Sequence, residues 1–488
     1  MNLTERTIRS AWWQLITTVL LAVIQVMTTA IMARYLTPSE FGLMSIAMIV
    51  FGFVTIFSEV GIGSCIIRAD RIDKITVQTG FLVSTLTSSV VFIVVWLWAP
   101  GISHFFRNED AGNIIRLVSC TFLITGLGVV AQSLMERKMK FRQLMVIKTV
   151  ALAISSIAGI WAAVMGYGVW ALVISILTNA AIKTILLFVF HPHPVGLKFD
   201  KRIFWNFFNY SIGLTISRTF NYGAQQADNI IVGRWMGTEM LGLYGKAFQL
   251  MILPVTYLGQ TIDKVTYPGL SMIKENKRKL NEVHLNAITL VNLIMIPFAV
   301  AAILTAKEIV VLLLGPDWID ITLSLQILLL TVSFRTSVRM VDSLIRAIGV
   351  VYKGALRNLI MFIMIVITCW YAKRWGISGI ASAVSISYLM NYLFMTQLAL
   401  KLIEGSWKQV FKALLPGVYL AGAIMLFTYP LIEVSRYYHM PAAITLVMTS
   451  IISCLVFMAC YLKFPAVLGV AGVWIRGHVA PLVKRVHG

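Results

Sequence analysis

Apolar residues run through this chain in long stretches separated by short polar gaps. The stretches are about 20 residues long, the length a helix needs to cross the hydrocarbon core of a bilayer. Fourteen are delimited, near residues 11–33, 41–64, 76–99, 113–134, 144–165, 168–190, 205–232, 241–262, 284–305, 319–348, 355–372, 377–400, 412–432 and 441–463. Within a bilayer a segment must satisfy its own backbone, so each stretch predicts a helix. The expected fold class is an all-α polytopic membrane protein of about 14 transmembrane helices. No gap between stretches exceeds about 20 residues. That leaves no room for a folded catalytic domain outside the membrane.

Composition agrees with this reading. Of the 488 residues, 59% are hydrophobic and 12% charged, with a mean hydropathy of +0.84. Soluble chains are about a quarter charged, and so sparse a polar surface excludes a cytosolic enzyme, a secreted disulfide scaffold and a disordered chain. The five cysteines (Cys65, Cys120, Cys369, Cys454, Cys460) form no CxxC pair and read as buried thiols. The first apolar run carries no A-x-A site before Arg34 and reads as a retained first span.

The formal charge of +21 is explained by topology. Lys and Arg number 26 in the gaps and ends on one side and 7 in the opposite gaps. Basic residues collect in cytoplasmic loops. Both termini are therefore expected in the cytoplasm (N-in/C-in), which requires an even number of spans. No nucleic-acid partner is needed to account for the charge.

The chain also repeats. At an offset of 200 residues, Gln25, Arg34, Gly42 and Leu43 recur as Gln225, Arg234, Gly242 and Leu243, with Ile16/Ile216 and Ile31/Ile231 beside them. Both copies join an outgoing span to a returning one at the outer face. Gly166-Tyr-Gly-Val-Trp-Ala has a weaker echo in Gly376-Ile-Ser-Gly-Ile-Ala. The expectation is two pseudo-repeated six-helix bundles, 1–204 and 205–400, followed by two additional helices and a cytoplasmic tail, 401–488. Parallel repeats of this kind are a transporter architecture, with the substrate path between the halves.

Ionisable residues within spans are the default site candidates, because burying charge in a bilayer is costly. The tenth stretch holds Arg335, Arg339, Asp342 and Arg346. At about 100° per residue these fall within an arc of about 60°. Asp342 is spaced to pair with Arg339 or Arg346. The functional reading is a cationic wall for phosphate or acidic sugar, since guanidinium forks match phosphate oxygens; the structural reading is a helix with internal salt bridges. In the seventh stretch Ser211, Thr215, Arg218, Tyr222, Gln225 and Asn229 form one continuous polar face, flanked by Asn221 and Asp228. That row suits sugar hydroxyls, with Arg218 adding charge, and equally suits hydrogen bonding between helices. Gln25 is its counterpart in the first stretch. Asp342, Asp228 and Glu59 are the carboxylates to consider for ion coupling. Arg116, Lys148 and Lys246 are expected to snorkel from span ends.

No phosphate-loop signature, HExxH, G-x-S-x-G or clustered Cys/His set occurs, so no catalytic residues, metal site or cofactor are assigned. Trp12, Trp13, Trp96, Trp98, Trp205 and Trp370 lie near stretch ends, as an interfacial aromatic belt would place them.

Several motifs in this order resemble a known family. They are Ser10-Ala-Trp-Trp, Ala33-Arg34-Tyr-Leu-Thr-Pro-Ser-Glu-Phe-Gly-Leu43, Glu59-Val-Gly-Ile-Gly63 with Ile66-Ile67-Arg68, Leu313-Leu-Gly-Pro-Asp-Trp318 and Gly376-Ile-Ser-Gly379. Most of the chain is similar to bacterial polysaccharide exporters, closest to the colanic acid and teichuronic acid exporter branch of the multidrug/oligosaccharidyl-lipid/polysaccharide (MOP) flippase superfamily. The resemblance implies a transporter and not an enzyme: a flippase in the bacterial cytoplasmic (inner) membrane. It would carry an undecaprenyl-diphosphate-linked oligosaccharide between leaflets by alternating access, for lipopolysaccharide or exopolysaccharide export. It further implies a lipid-linked oligosaccharide substrate, membrane lipids as surroundings, polysaccharide polymerase or assembly proteins as partners, and a proton or sodium ion as the coupling ion. The alternatives are a cation-coupled multidrug exporter of the same superfamily and a membrane glycosyltransferase, polymerase or ligase. The first would want an acidic cavity, and the second a large external loop or an acidic catalytic pair.

Overall fold

A computed structural model describes residues 20–463 except 59–62, 64–65, 68–72, 193, 195, 197–198, 202–204, 206–218 and 220–221. Every regular element among the described residues is a helix, with no strand among them. In chain order the helices are α1 (Leu20–Met32), α2 (Pro38–Ser58), α3 (Lys74–Phe106), α4 (Asp110–Arg137), α5 (Phe141–Val164), α6 (Trp170–Phe190) and α7 (222–235). They continue with α8 (Thr238–Met272), α9 (Lys277–Leu304), α10 (Ala306–Leu313), α11 (Thr322–Leu329) and α12 (Val332–Ile348). The last four are α13 (Val351–Ala372), α14 (Gly376–Ile403), α15 (Trp407–Tyr437) and α16 (Ala442–Lys463).

Each of the fourteen apolar stretches overlaps one of these helices or, for 319–348, a pair. Nine segments among the described residues are long and apolar enough to cross a membrane, or ten if the bent pair of α11, with the turn before it, and α12 is counted. Helix α8 is long but carries Lys246, Asp263 and Lys264. Helix starts follow local capping chemistry. At the entry to α2 the Thr37 amide donates to Glu40 Oε2 at 2.7 Å and the Glu40 amide returns to Thr37 Oγ1 at 3.4 Å. This is a capping box with proline at the first helical position. Asn276 caps α9 by accepting from the Lys279 amide at 3.0 Å.

The chain separates into two compact units, Met1–Gly245 and Lys246–Gly488. In the first, Ala131, Met135, Leu144, Ile147 and Leu187 bring α4, α5 and α6 together. The same unit holds both copies of the repeated loop. A side chain at Gly42 would strike the carbonyl of Thr238, and one at Gly242 would strike the carbonyl of Pro38 and the Gly42 nitrogen. Ser39 Oγ lies 3.1 Å from Thr238 Oγ1. Small residues let helices approach this closely, and here equivalent positions of the repeat touch one another.

In the second unit Leu270, Leu280, Val341, Leu344, Met395 and Leu398 form the main cluster, drawn from α8, α9, α12 and α14. Buried side chains of α9 and α15 (Leu293, Leu420, Ile424) make another. The final helix pair is tied in by charge. Arg436 Nε donates to Glu308 Oε1 at 2.8 Å, and its Nη2 donates to Glu308 Oε2 at 3.1 Å and to the Leu304 carbonyl at 3.0 Å.

Candidate functional site

The sequence stripe Arg335–Arg346 lies on α12, and the structure gives its members different surroundings. Helices α11 and α12 meet at Leu330–Thr331 with a bend of 43°. Thr331 explains the break: its hydroxyl donates to the Leu328 carbonyl at 2.7 Å and accepts from Arg335 Nε at 3.0 Å. A side chain entering the backbone ladder is a recognised cause of such kinks. Arg335 therefore sits in the first turn of a half-helix that begins inside the span.

Arg335 is 5% exposed. Its guanidinium carbon lies 3.3 Å from the centroid of the Tyr388 ring on α14 and 5.1 Å from that of Phe248 on α8. Aromatic faces stabilise a desolvated guanidinium. They offer no acceptor, and Nη2 is buried without a hydrogen-bond partner. One turn on, Arg339 lies against Gly259 of α8, where an added Cβ would come within 2.6 Å of Arg339 Cδ and 3.1 Å of Nε. The Arg339 guanidinium makes no hydrogen bond or ion pair among the described residues. Two neighbouring guanidiniums thus retain unspent donors, Arg335 Nη2 among aromatic rings and Arg339 near the carboxylates of Asp263 and Asp342.

Arg346 differs. Its Nη2 meets Asp263 Oδ1 of α8 at 2.7 Å, its Nε donates to the Asp342 carbonyl at 3.3 Å, and its guanidinium lies 5.3 Å from the Tyr267 ring. The expected pairing of Asp342 with Arg339 or Arg346 is thereby corrected: the carboxylate that holds Arg346 comes from another helix. Asp342 makes no ion pair among the described residues. Ser343 Oγ donates to the same Asp263 oxygen and at 3.1 Å to the Arg339 carbonyl. The opposite face of α12 is fastened to α9, where Asn292 accepts from Ser333 and donates to Ser337 Oγ at 3.1 Å.

Asp263 escapes the hydropathy reading because the apolar run of the eighth stretch stops at 262. The helix itself continues to Met272, more than two turns further. Its signal is the spacing Gly259–Asp263, one turn on a single face. Lys246 is corrected for a related reason. Helix α8 begins at Thr238, so Lys246 lies two turns inside it, 9% exposed and donating to Gln249 Oε1 at 3.0 Å, and it does not snorkel.

The polar row of the seventh stretch is described only from residue 222, apart from Thr219. Arg218, Ser211, Thr215 and Asn221 lie outside the described residues, as does Glu59. Tyr222 donates to the Ile49 and Met48 carbonyls at 3.0 and 3.3 Å, its ring end filling the space left by Gly52. Asn229 Nδ2 donates to Gln226 Oε1 at 2.8 Å. Gln225 and Gln25 are exposed. Asp228 is buried, accepting from Tyr244 Oη at 2.7 Å and from the Asn229 amide at 2.9 Å.

These features define a multi-pass helical membrane protein with a cationic half-helix. The family model for "Polysaccharide biosynthesis protein" matches residues 31–323, and the chain belongs to that family. It is 24% identical over 442 residues to lipopolysaccharide biosynthesis protein WzxC of Escherichia coli K12, covering 88% of each chain. Among solved structures, the lipid II flippase MurJ in an inward closed conformation superposes with a TM-score of 0.74 at 15% identity, covering 97% of this chain and 100% of that one. An inward-facing multidrug resistance MATE transporter of the MOP superfamily superposes with a TM-score of 0.64 at 16% identity, covering 79% and 96%. The chain has the fold of these two solved proteins, a flippase and a transporter by their titles.

Proposed function

We propose that this chain is a flippase of the bacterial cytoplasmic membrane. It moves undecaprenyl-diphosphate-linked oligosaccharide repeat units from the cytoplasmic to the periplasmic leaflet by alternating access, in the export of a surface polysaccharide. The supporting observation is the pair Arg335 and Arg339 in the first turns of a helix that starts within a span: Arg335 Nη2 is buried without a partner, and the Arg339 guanidinium makes no hydrogen bond or ion pair among the described residues. Guanidinium forks and a half-helix N-terminus both favour a phosphate headgroup. Arg346 and Arg218 complete the proposed phosphate-binding set. Gln25, Gln225 and Asn229 are proposed for the sugar, with Tyr222 offering its ring, since its hydroxyl is engaged with α2. Fourteen spans with both ends in the cytoplasm, and the division 1–204, 205–400 and 401–488, belong to the same proposal. Of the coupling candidates, Asp342 stands beside the arginines, whereas Asp228 is held by Tyr244.

A cation-coupled drug exporter of the same fold would place carboxylates where this chain has arginines. The experiment is depletion of the protein, followed by treatment of intact spheroplasts with a membrane-impermeant glycan-modifying enzyme. Complete lipid-linked units protected inside support flipping. Accessible units without polymer indicate a polymerase or ligase defect, and an unchanged lipid pool with new sensitivity to cationic drugs indicates a drug exporter.

A further inference from the structure

Helices α8 and α12 lie side by side through matched positions: Gly259 opposite Arg339, then Asp263 opposite Ser343 and Arg346. Along this seam the arginines divide. Arg335 Nη2 and the Arg339 guanidinium have no partner among the described residues, while Arg346 is occupied by a carboxylate of the protein itself. That pair is open to solvent-borne competition, with side chains 48% exposed for Arg346 and 32% for Asp263. An ion pair this exposed is weak. A doubly charged phosphate that bonds two nitrogens of the guanidinium at once can displace a carboxylate held through one. From Arg339 to Arg346 is two turns, about 10 Å of helix rise, within reach of one diphosphate between two extended arginine side chains.

We propose that Asp263 is a resident counter-anion of the arginine wall. It holds Arg346 while no headgroup is bound, yields it to an arriving diphosphate, and reclaims it as the headgroup leaves. This rests on the headgroup reading of Arg335 and Arg339 and adds a positioning residue to it. The ion pair stops Arg346 from adding its full attraction to a bound anion, so the wall binds the diphosphate tightly enough to capture and loosely enough to release. Ser343, donating to the same Asp263 oxygen, fixes the carboxylate at the seam.

The test is binding and flipping by the purified full-length protein, with undecaprenyl diphosphate in nanodiscs as one probe and inorganic diphosphate as the other. Asp263→Asn should bind undecaprenyl diphosphate roughly 1.5-fold to fivefold tighter, the range set by losing one exposed competing ion pair, and should flip more slowly at saturating substrate. Ser343→Ala, which removes one hydroxyl and keeps a good helix former, should move both quantities the same way by less. Tightening for both probes assigns the effect to phosphate chemistry; tightening for the lipid alone assigns it to the headgroup in its membrane setting. Either result supports the proposal. Unchanged or weaker binding in Asp263→Asn, with a lowered melting temperature, would make the pair a structural tie and overturn it. Arg339→Ala separates the two levels. If Arg339→Ala loses binding while Asp263→Asn does not gain it, only the counter-anion is wrong; if Arg339→Ala and Arg335→Ala both bind as wild type, the headgroup reading fails and the counter-anion with it.

Discussion

Gly42 and Gly242, equivalent positions of a repeat offset by 200 residues, meet at the starts of α2 and α8. The space of either missing side chain is occupied by backbone belonging to the other copy. A bulky residue at either position must push two helix starts apart, because backbone cannot rotate out of the way as a side chain can. In the proposed cycle this contact lies on the outer side and must separate for release. Replacing Ser39 and Thr238 by cysteine, in a background lacking the native thiols, should give a disulfide, since their oxygens are 3.1 Å apart. Export should fall when the pair is oxidised and return on reduction. Full export by the oxidised protein would show that the two starts need not separate.

Arg335 and Arg339 carry the phosphate reading. Arg335→Ala or Arg339→Ala should lower export by about tenfold or more while the protein still inserts. Arg335→Lys should recover little, because lysine lacks both the fork and the planar group that stacks on Tyr388. Substantial rescue by lysine would mean that charge alone is needed.

Gly259 is the cradle of Arg339. A methyl group there collides with the Arg339 stem, which can move by changing rotamer at modest cost. Gly259→Ala should therefore reduce headgroup binding by roughly threefold, less than loss of the arginine itself. Binding equal to wild type would place Arg339 elsewhere in the working protein.

Glu308 and Arg436 form the most complete ion pair among the described residues. Glu308 is 7% exposed and receives two donors. Arg436→Ala strands that carboxylate and should cost about 1–3 kcal/mol, moderated by the partial exposure of the arginine. Glu308→Gln, which keeps hydrogen bonding, should cost less. Thermal unfolding in detergent checks both, and equal losses would mean that the charge itself matters little.

The arginine stripe was legible because a 3.6-residue period converts spacing into one face, and α12 is one unbroken helix across it. The repeat was legible because its arginine and glycine stand out among apolar residues. The break before α12 was not, since no proline or glycine marks it; it comes from one threonine hydroxyl competing for a backbone carbonyl. Asp263 was hidden because hydropathy ends a span at its first charges, whereas the helix runs on and sets Asp263 against α12. The Asp342 pairing failed for the same reason. Intrahelical spacing supplied a plausible partner, and a neighbouring helix supplied the actual one.

The most direct measurement is on proteoliposomes containing the purified protein and an undecaprenyl-diphosphate-linked oligosaccharide in the outer leaflet only. Loss of accessibility to an added glycan-modifying enzyme reports flipping. The proposal requires protection to develop with wild-type protein, and only at the protein-free rate with the Arg335→Ala/Arg339→Ala double variant. Equal protection rates for the two proteins would contradict it.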